Sequence, residues 1–117
     1  MAYVEFDADE VMQEFGDVSV VSELAGIVRT DLAGYASHLE AAYSAGNLEE
    51  VRRIAHAVKG AAGNVAARAV VTLASAIDNG LRAGQVDAAA KTPDLIAACG
   101  RLEREIGEWL EALGQRK

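Results

Sequence analysis

Apolar residues recur along this chain at steps of three and four positions, and no segment of strand length alternates apolar and polar residues. Steps of three and four place side chains on one face of an α-helix, whereas a half-buried strand shows a period of two. Long stripes of this kind follow one another from the first quarter of the chain to its end. The pattern therefore predicts an all-α protein.

The first predicted helix is short and precedes the long ones. It runs from Asp9 to about Phe15, with Asp7 or Asp9 as the capping acid and Gly16 as its stop. Its buried side is expected to consist of three apolar residues: Val11, Met12 and Phe15.

The second predicted helix is much longer and runs from about Ser19 or Ser22 to Ala45. Gly46 and Asn47 end it, and the Asn47 side chain can cap the helix that follows. Because the connection is short, the second and third helices should run antiparallel. The apolar stripe of the second helix is Leu24, Val28, Leu32, Tyr35, Leu39 and Ala42.

Two helices of intermediate length follow. The third is expected from Leu48 to about Val65, and the fourth from about Ala67 to Ala83, where Gly84 ends it. The core positions of the third helix are Leu48, Val51, Ala55, Val58, Ala62 and Val65. Those of the fourth are Val70, Leu73, Ala74, Ile77 and Leu81.

The last long helix follows a predicted helical turn at Asp87–Lys91. Thr92 before Pro93 is typical of an N-cap followed by the first helical position. Gly114 should close this helix and leave residues 115–117 as a frayed tail. Its stripe is Leu95, Cys99, Leu102, Ile106, Trp109 and Leu113. Together the helices predict an antiparallel up-and-down four-helix bundle with a short extra N-terminal helix, forming a single domain over residues 1–117.

Composition and charge narrow the classes of partner. The formal net charge is −7, which disfavours nucleic acid and anionic membrane surfaces, because both attract basic proteins. The single cysteine, Cys99, excludes an intrachain disulfide and fits a reducing compartment. There is no signal-peptide pattern and no apolar run near the roughly 20 residues of a membrane span. We expect a cytoplasmic monomer, and the start methionine and polar ends favour a free-standing protein.

Several kinds of chemistry find no support in the sequence. Di-metal bundles place a glutamate three residues before a histidine, but Tyr35 precedes His38 in this way and Arg53 precedes His56. Two histidines and one cysteine do not make a closed zinc set. No motif indicates acyl transfer, and no glycine-rich loop leads from a strand into a helix to hold ATP. We therefore expect no metal and no cofactor in this chain.

The two histidines differ in their surroundings. We interpret His38 as a surface residue of the second helix. His56 lies roughly 130° from the centre of the apolar stripe of the third helix, so it should point outward. Its neighbours one turn away are Arg52, Arg53, Lys59, Gly60 and Gly63.

This neighbourhood suits an exposed nucleophile. A solvent-facing imidazole is nucleophilic near neutral pH, and the cations could hold a phosphoryl group by charge-assisted hydrogen bonds. Each glycine costs a helix about 1 kcal/mol relative to alanine, and Gly60 and Gly63 would leave room for another protein. The plainer interpretation is a solvated basic patch that Glu49 and Glu50 balance, with glycines present by chance.

The segment His56-Ala57-Val58-Lys59-Gly60, followed by Ala61, Ala62 and Gly63, resembles the signature of histidine-containing phosphotransfer (HPt) domains. Gly46-Asn47-Leu48 resembles the turn before the active helix of that family. Leu73-Ala74 through Ile77-Asp78 to Gly84 resembles its following helix. The resemblance covers about residues 20–84.

The resemblance implies a phosphorelay intermediate without an ATP site of its own. His56 would accept a phosphoryl group from the aspartate of one receiver domain and pass it to another, and Lys59 would stabilise the phosphoryl oxygens. The implied partners are response-regulator receiver domains and a hybrid histidine kinase, and the receiver would supply an acidic pocket and Mg²⁺. The residues expected to face the partner are Arg52, Arg53, Gly60, Gly63, Asn64 and Asp78.

Three positions depart from the family pattern. Ala66 stands where a glycine is usual, which should alter the turn between the third and fourth helices. Asp78 stands where a longer glutamate or glutamine often reaches the histidine, so we do not expect it to hydrogen-bond the Nδ1 atom. Gly80 replaces an alanine-like residue and should soften the fourth helix.

Two other functions use a similar helix face. A dimerising histidine-kinase hairpin usually has an acid directly after its histidine and a proline several residues later, but Ala57 follows His56 and the first proline is Pro93. An HPt-like module could also dock a receiver or a kinase without carrying phosphate. Only His56, which a pure scaffold does not need, separates that alternative from the relay.

Overall fold

The computed structural model describes residues 3–115, and in this range it contains helices and no strand. A 3-10 helix, Val86–Lys91, precedes the last α-helix. The α-helices are α1 (Ala8–Phe15), α2 (Val18–Ser44), α3 (Leu48–Gly63), α4 (Arg68–Arg82) and α5 (Thr92–Gln115). The all-α prediction is confirmed, and the predicted helix ends lie within a few residues of those observed.

Four of the helices enclose one core. α2 packs against both α3 and α5, α3 packs against α4, and α4 makes a smaller contact with α5. The short helix α1 packs on α2. The described part of the molecule measures 49 × 23 × 20 Å, and the 27-residue α2, about 40 Å long at the usual rise, accounts for most of its length. No helix in residues 3–115 is long and apolar enough to cross a membrane.

Most residues of the predicted apolar stripes lie in the core or pack against it, but Leu48 and Leu113, at the ends of their helices, do not. Ile54 and Ala61 broaden the buried side of α3 beyond the predicted stripe. Cys99 is fully buried as predicted, and burial, together with the nearby charge of Glu5, raises the pKa of its thiol to about 12. The largest fully buried side chains of the long helices include Leu32, Leu39, Ile77, Leu95, Leu102 and Ile106.

The N-terminal arm, residues 3–7, is fastened to α5. The backbone N–H groups of Glu5 and Phe6 both donate to Oε1 of Glu105, at 2.8 and 3.0 Å. Nε of Arg101 donates to Oε2 of Glu5 at 3.1 Å. The Phe6 ring is buried and packs edge-to-face on Trp109, with ring centroids 5.4 Å apart. Hydrogen bonds and aromatic packing thus join the arm to the core.

The caps of two helices agree with the predictions. Asp7 caps α1 by accepting from the N–H of Glu10, and Asn47 caps α3 in the same way. α2 begins at Val18, one residue before the predicted Ser19, and its cap is Asp17, which accepts from the N–H of Ser19. Phe15, expected to be buried, is 43% exposed, since it lies where α1 ends and the chain turns toward α2.

The start and end of α5 also differ from the prediction. Thr92 is not an N-cap: its backbone is helical and its hydroxyl donates backwards to the carbonyl of Ala89 at 2.6 Å. The 3-10 helix continues directly into α5, so there is no helix start at this point for a side chain to cap. Gly114 does not end α5, which runs to Gln115, and the tail at residues 116–117 lies outside the described residues.

Two of the three departures from the family pattern concern the ends of α4. Ala66 has a φ of +55°, in the left-handed region that favours glycine, so alanine holds this conformation at a cost of about 1 kcal/mol. Gly80 lies against the 3-10 helix, because a Cβ atom there would be 2.5 Å from Cβ of Ala88. The residue expected to soften α4 is therefore one that close packing requires.

Candidate functional site

His56 lies on the outward face of α3, near the middle of the helix. Its side chain is 58% exposed, while Ala55 and Val58 beside it are fully buried in the core. The outward orientation of His56 predicted from the apolar stripe is therefore confirmed.

The imidazole has a carboxylate partner on α4. Nδ1 of His56 lies 2.8 Å from Oδ2 of Asp78, whose side chain is only 2% exposed. The expectation that Asp78 would not reach the histidine is therefore wrong. α3 and α4 pack closely along their lengths, and small contact residues allow helices to approach, so a short aspartate spans the gap. The alanines on the buried faces of these helices include Ala55, Ala62 and Ala74.

The second oxygen of Asp78 is also occupied. Oδ1 accepts from Nε of Arg82 at 2.8 Å and from Nη1 of Arg52 at 3.3 Å. Burial alone would raise the pKa of Asp78, but the hydrogen bonds from His56, Arg82 and Arg52 outweigh it and lower the pKa to about 2. Asp78 is therefore an ionised, buried acceptor across the physiological pH range.

The ionised carboxylate determines the tautomer of the neutral imidazole. A carboxylate only accepts hydrogen bonds, so Nδ1 of His56 must carry the proton that lies between the two groups. The lone pair is then on Nε2, the other ring nitrogen. The arrangement orients the ring and leaves its nucleophilic nitrogen unprotonated.

The two arginines before His56 are less available than the sequence suggested. Arg52 donates to both oxygens of Glu49, at 2.6 to 3.1 Å, as well as to Asp78. Arg53 forms a two-point ion pair with Glu50. These hydrogen bonds lower the pKa values of Glu49 and Glu50. The balanced patch of the plainer interpretation is thus present at these positions.

Lys59 differs from the arginines. It lies one turn after His56 on α3, and no carboxylate in residues 3–115 forms an ion pair with it. Of the three cations predicted around the imidazole, Lys59 is the one whose ammonium group is not already matched by a described carboxylate.

The C-terminal half of α3 presents an open surface beside the histidine. Cβ atoms at Gly60 and Gly63 would meet nothing within 4 Å, and both residues are exposed. Asn64, which ends the helix, is exposed as well. We call Gly60, Gly63 and Asn64 the open face of α3. The packing of this protein does not require glycine at either position.

Two surface hollows lie beside the start of α4. One, of about 320 Å³, lies between the N-terminal arm and α4. The other, of about 380 Å³, lies between α1 and α4 and is lined in part by Gly63; neither is lined by His56. Among residues 3–115, no three His, Cys, Asp or Glu side chains are grouped so that they could hold a metal ion.

The structure thus brings His56, Lys59 and Asp78 to one region and places the open face of α3 next to them. Sequence reasoning missed Arg82, although its position four residues after Asp78 is the spacing of a helical ion pair and could have indicated it. No sequence spacing indicates that Arg52 reaches across to α4.

Comparison with protein-family models matches the Hpt domain to residues 23–116 of the chain. The matched range begins three residues after the start of the resembling stretch, 20–84, and continues past its end to include α5. Comparison with curated proteins and with solved structures gave no match. Hpt domains are helical bundles that carry phosphate without an ATP site of their own, and they interact with receiver domains and kinases. Since the match covers most of the sequence and the fold is a helical bundle, the chain belongs to the Hpt domain family and has a phosphotransfer role in two-component signalling.

Proposed function

We propose that this protein is a phosphorelay intermediate in which His56 accepts a phosphoryl group from the aspartate of one receiver domain and passes it to another. The observation that carries the proposal is the pairing of an exposed imidazole with a buried, ionised carboxylate, Asp78. A histidine with a purely structural role has no need of a fixed tautomer on the solvent side of a helix.

The transfer step needs no proton to move. Nε2 of His56 attacks the phosphorus atom, the Nε2–P bond forms, and the bond from phosphorus to the partner's aspartate oxygen breaks. The partner's carboxylate leaves with the electron pair. The ring keeps its Nδ1 proton, and the positive charge that develops on it lies beside Asp78, 2.8 Å away. The second transfer reverses these steps toward another receiver.

Lys59 is the residue that we assign to the phosphoryl oxygens. Its ammonium group can form charge-assisted hydrogen bonds with a phosphoryl dianion on the neighbouring turn. Arg52 and Arg53 would first have to release Glu49 and Glu50, so we place them on the partner-facing surface and not on the phosphoryl group. The open face of α3 completes that surface. Asp78, which was also expected to face the partner, does not belong to it, because its side chain is only 2% exposed and lies behind the imidazole.

The partner supplies what this chain does not. We propose that the docking receiver contributes the acidic pocket and the Mg²⁺ that phosphoryl transfer uses, and that a hybrid histidine kinase begins the relay. We also propose that the protein is cytoplasmic, since a buried free thiol such as Cys99 fits a reducing compartment. We propose further that it works as a monomer.

Labelling by a phosphorylated receiver tests the proposal. Wild type should become an acid-labile, alkali-stable phosphoprotein, and His56→Gln should not. His38→Gln is the matched control, because His38 is an exposed histidine on α2 and its loss should leave labelling intact. If wild type binds the receivers of its cell but none of them labels it, the protein is a docking module and the relay is excluded.

A further inference from the structure

The oxygen of Asp78 that does not contact the histidine is held by two guanidinium groups, one from α3 and one from α4. We propose that Arg82, with Arg52 as a second donor, is a positioning residue that acts on His56 through Asp78. The effect on phosphotransfer rests on the proposed function. The arrangement of the four side chains can be tested without phosphotransfer.

The two oxygens of Asp78 accept hydrogen bonds from different residues. Oδ2 accepts from His56, while Oδ1 accepts from Arg82 and Arg52. Two cationic donors on one oxygen fix the rotation of the carboxylate group, and this rotation points the other oxygen at Nδ1. The orientation of the imidazole therefore depends on contacts that the imidazole does not itself make.

Arg82 is the stronger of the two donors. Its Nε–H lies 2.8 Å from Oδ1, whereas the contact from Arg52 is 3.3 Å and the same guanidinium also serves both oxygens of Glu49. Without Arg82, a carboxylate that is 2% exposed would retain only the longer contact on that oxygen. A carboxylate held by one longer contact can rotate, and its other oxygen then no longer points at Nδ1 of His56.

A carboxylate that turns away from Nδ1 no longer favours one tautomer of the imidazole. The pKa of Asp78 is about 2, far enough below neutrality for the carboxylate to stay ionised without Arg82, so the change is one of orientation and not of protonation. When Nδ1 has no acceptor, the ring proton can lie on Nε2 instead, and that tautomer has no lone pair on the nitrogen that must attack phosphorus. Arg82 thus helps to keep the nucleophilic nitrogen of His56 free by holding the Asp78 carboxylate in place.

The test is nitrogen-15 NMR of the His56 ring at neutral pH in the intact protein. Wild type should show the proton on Nδ1, and Arg82→Gln should shift the ring toward a mixture of tautomers. Arg82→Lys, which restores a cation, should recover most of the wild-type signature. The Arg82 side chain is 53% exposed, so its replacement leaves the core packing unchanged, which a thermal melt verifies.

Arg53→Gln is the matched control for this spectrum. Arg53 lies next to Arg52 on the same helix and pairs with Glu50 instead of Asp78. Arg53→Gln therefore removes the same charge as Arg82→Gln but should leave the tautomer unchanged. A wild-type spectrum in Arg82→Gln overturns the inference. An equal shift in Arg53→Gln also overturns it, since the effect would then come from charge alone.

Phosphotransfer provides the second readout. Arg82→Gln should lower the rate of transfer from a phosphorylated receiver about tenfold, as expected when a charge-assisted hydrogen bond that orients the nucleophile is lost, with receiver affinity unchanged. Arg104→Gln, an exposed position on α5, is the charge-matched control. If the tautomer shifts but wild type takes no phosphate, the relay fails and the positioning role stands. If wild type takes phosphate and the tautomer does not shift, the positioning role fails.

Discussion

The C-terminal halves of α3 and α4 contain the same kinds of residue in opposite circumstances. On α3, Gly60 faces empty space, and no described carboxylate pairs with Lys59. On α4, Gly80 lies against the 3-10 helix, and Arg82 is bound to a buried aspartate. The glycine and the cation of α3 are therefore available to a partner, whereas those of α4 make contacts within the protein.

The difference teaches how a small bundle supports an exposed reactive group. The residues on the open face of α3 contribute little to internal packing, so they can be chosen for what a partner needs. The residues of α4 behind them hold the imidazole in place and maintain the helix contact. Rigidity is thus supplied by the helix that does not carry the nucleophile.

Gly80→Ala should have the largest effect. An alanine in a helix normally stabilises it relative to glycine, but a Cβ atom at this position would overlap Ala88 and the short segment would have to move. We expect a loss of about 1–3 kcal/mol in the free energy of unfolding, measured by urea denaturation. Wild-type stability in this variant would mean that the 3-10 helix can move away from α4 at no cost and that this contact does not require glycine.

Asp78→Asn should change how stability depends on acid. The pKa of Asp78 is about 2 in the folded protein, below its ordinary 3.8, so the ionised group stabilises the fold above about pH 4. This stabilisation is lost as the pH falls from about 4 toward 2. The loss should be on the order of 1–2 kcal/mol.

The measurement is the free energy of unfolding of wild type and of Asp78→Asn between pH 7 and pH 2. The difference between the two proteins should shrink as the solution becomes more acidic. Asp31→Asn, at an exposed position on α2, is the control and should show a constant difference. A constant difference for Asp78→Asn would mean that its carboxylate is not stabilised in the folded state.

Gly60→Ala should have the opposite sign to Gly80→Ala. Its Cβ atom would meet nothing within 4 Å, so the fold should gain about 1 kcal/mol from the better helix former. Gly60→Leu should keep a stable fold but slow transfer from a phosphorylated receiver, because the side chain stands on the open face of α3. Unchanged transfer in Gly60→Leu would show that the partner docks elsewhere.

Lys59→Ala should have the smallest effect on the fold. With no ion pair to a described carboxylate, the change in stability should stay within about 0.5 kcal/mol, while the rate of transfer or the lifetime of the phosphohistidine falls. Lys91→Ala, at an exposed position of the 3-10 helix, is the control for the loss of charge. Equal transfer in wild type and Lys59→Ala would remove Lys59 from the site.

The sequence predicted the parts of this structure that depend on periodicity. The stripes of α2 through α5, the burial of Cys99 and the outward direction of His56 all follow from steps of three and four residues. The helix starts were predicted less well. Asp17, which caps α2, was not singled out in the sequence, and Thr92 caps nothing because the 3-10 helix continues directly into α5.

The contacts between helices could not be predicted in this way. Whether Asp78 reaches His56 depends on the distance between α3 and α4, which is set by packing and not by spacing along the chain. The pairing of Arg52 and Arg53 with Glu49 and Glu50 was visible as an alternative in the sequence. The sequence alone did not show whether these arginines pair with the glutamates or remain free for a phosphoryl group, and the side-chain geometry decides for the glutamates.

The N-terminal arm has a consequence for where the domain begins. The family match starts at residue 23, yet Phe6 is buried against Trp109, and Glu105 receives the N–H groups of Glu5 and Phe6. A protein cut at the family boundary would expose an apolar surface on α5 and leave a buried carboxylate without its donors. The N-terminal arm is therefore part of the packed structure, although it precedes the residues that match the family.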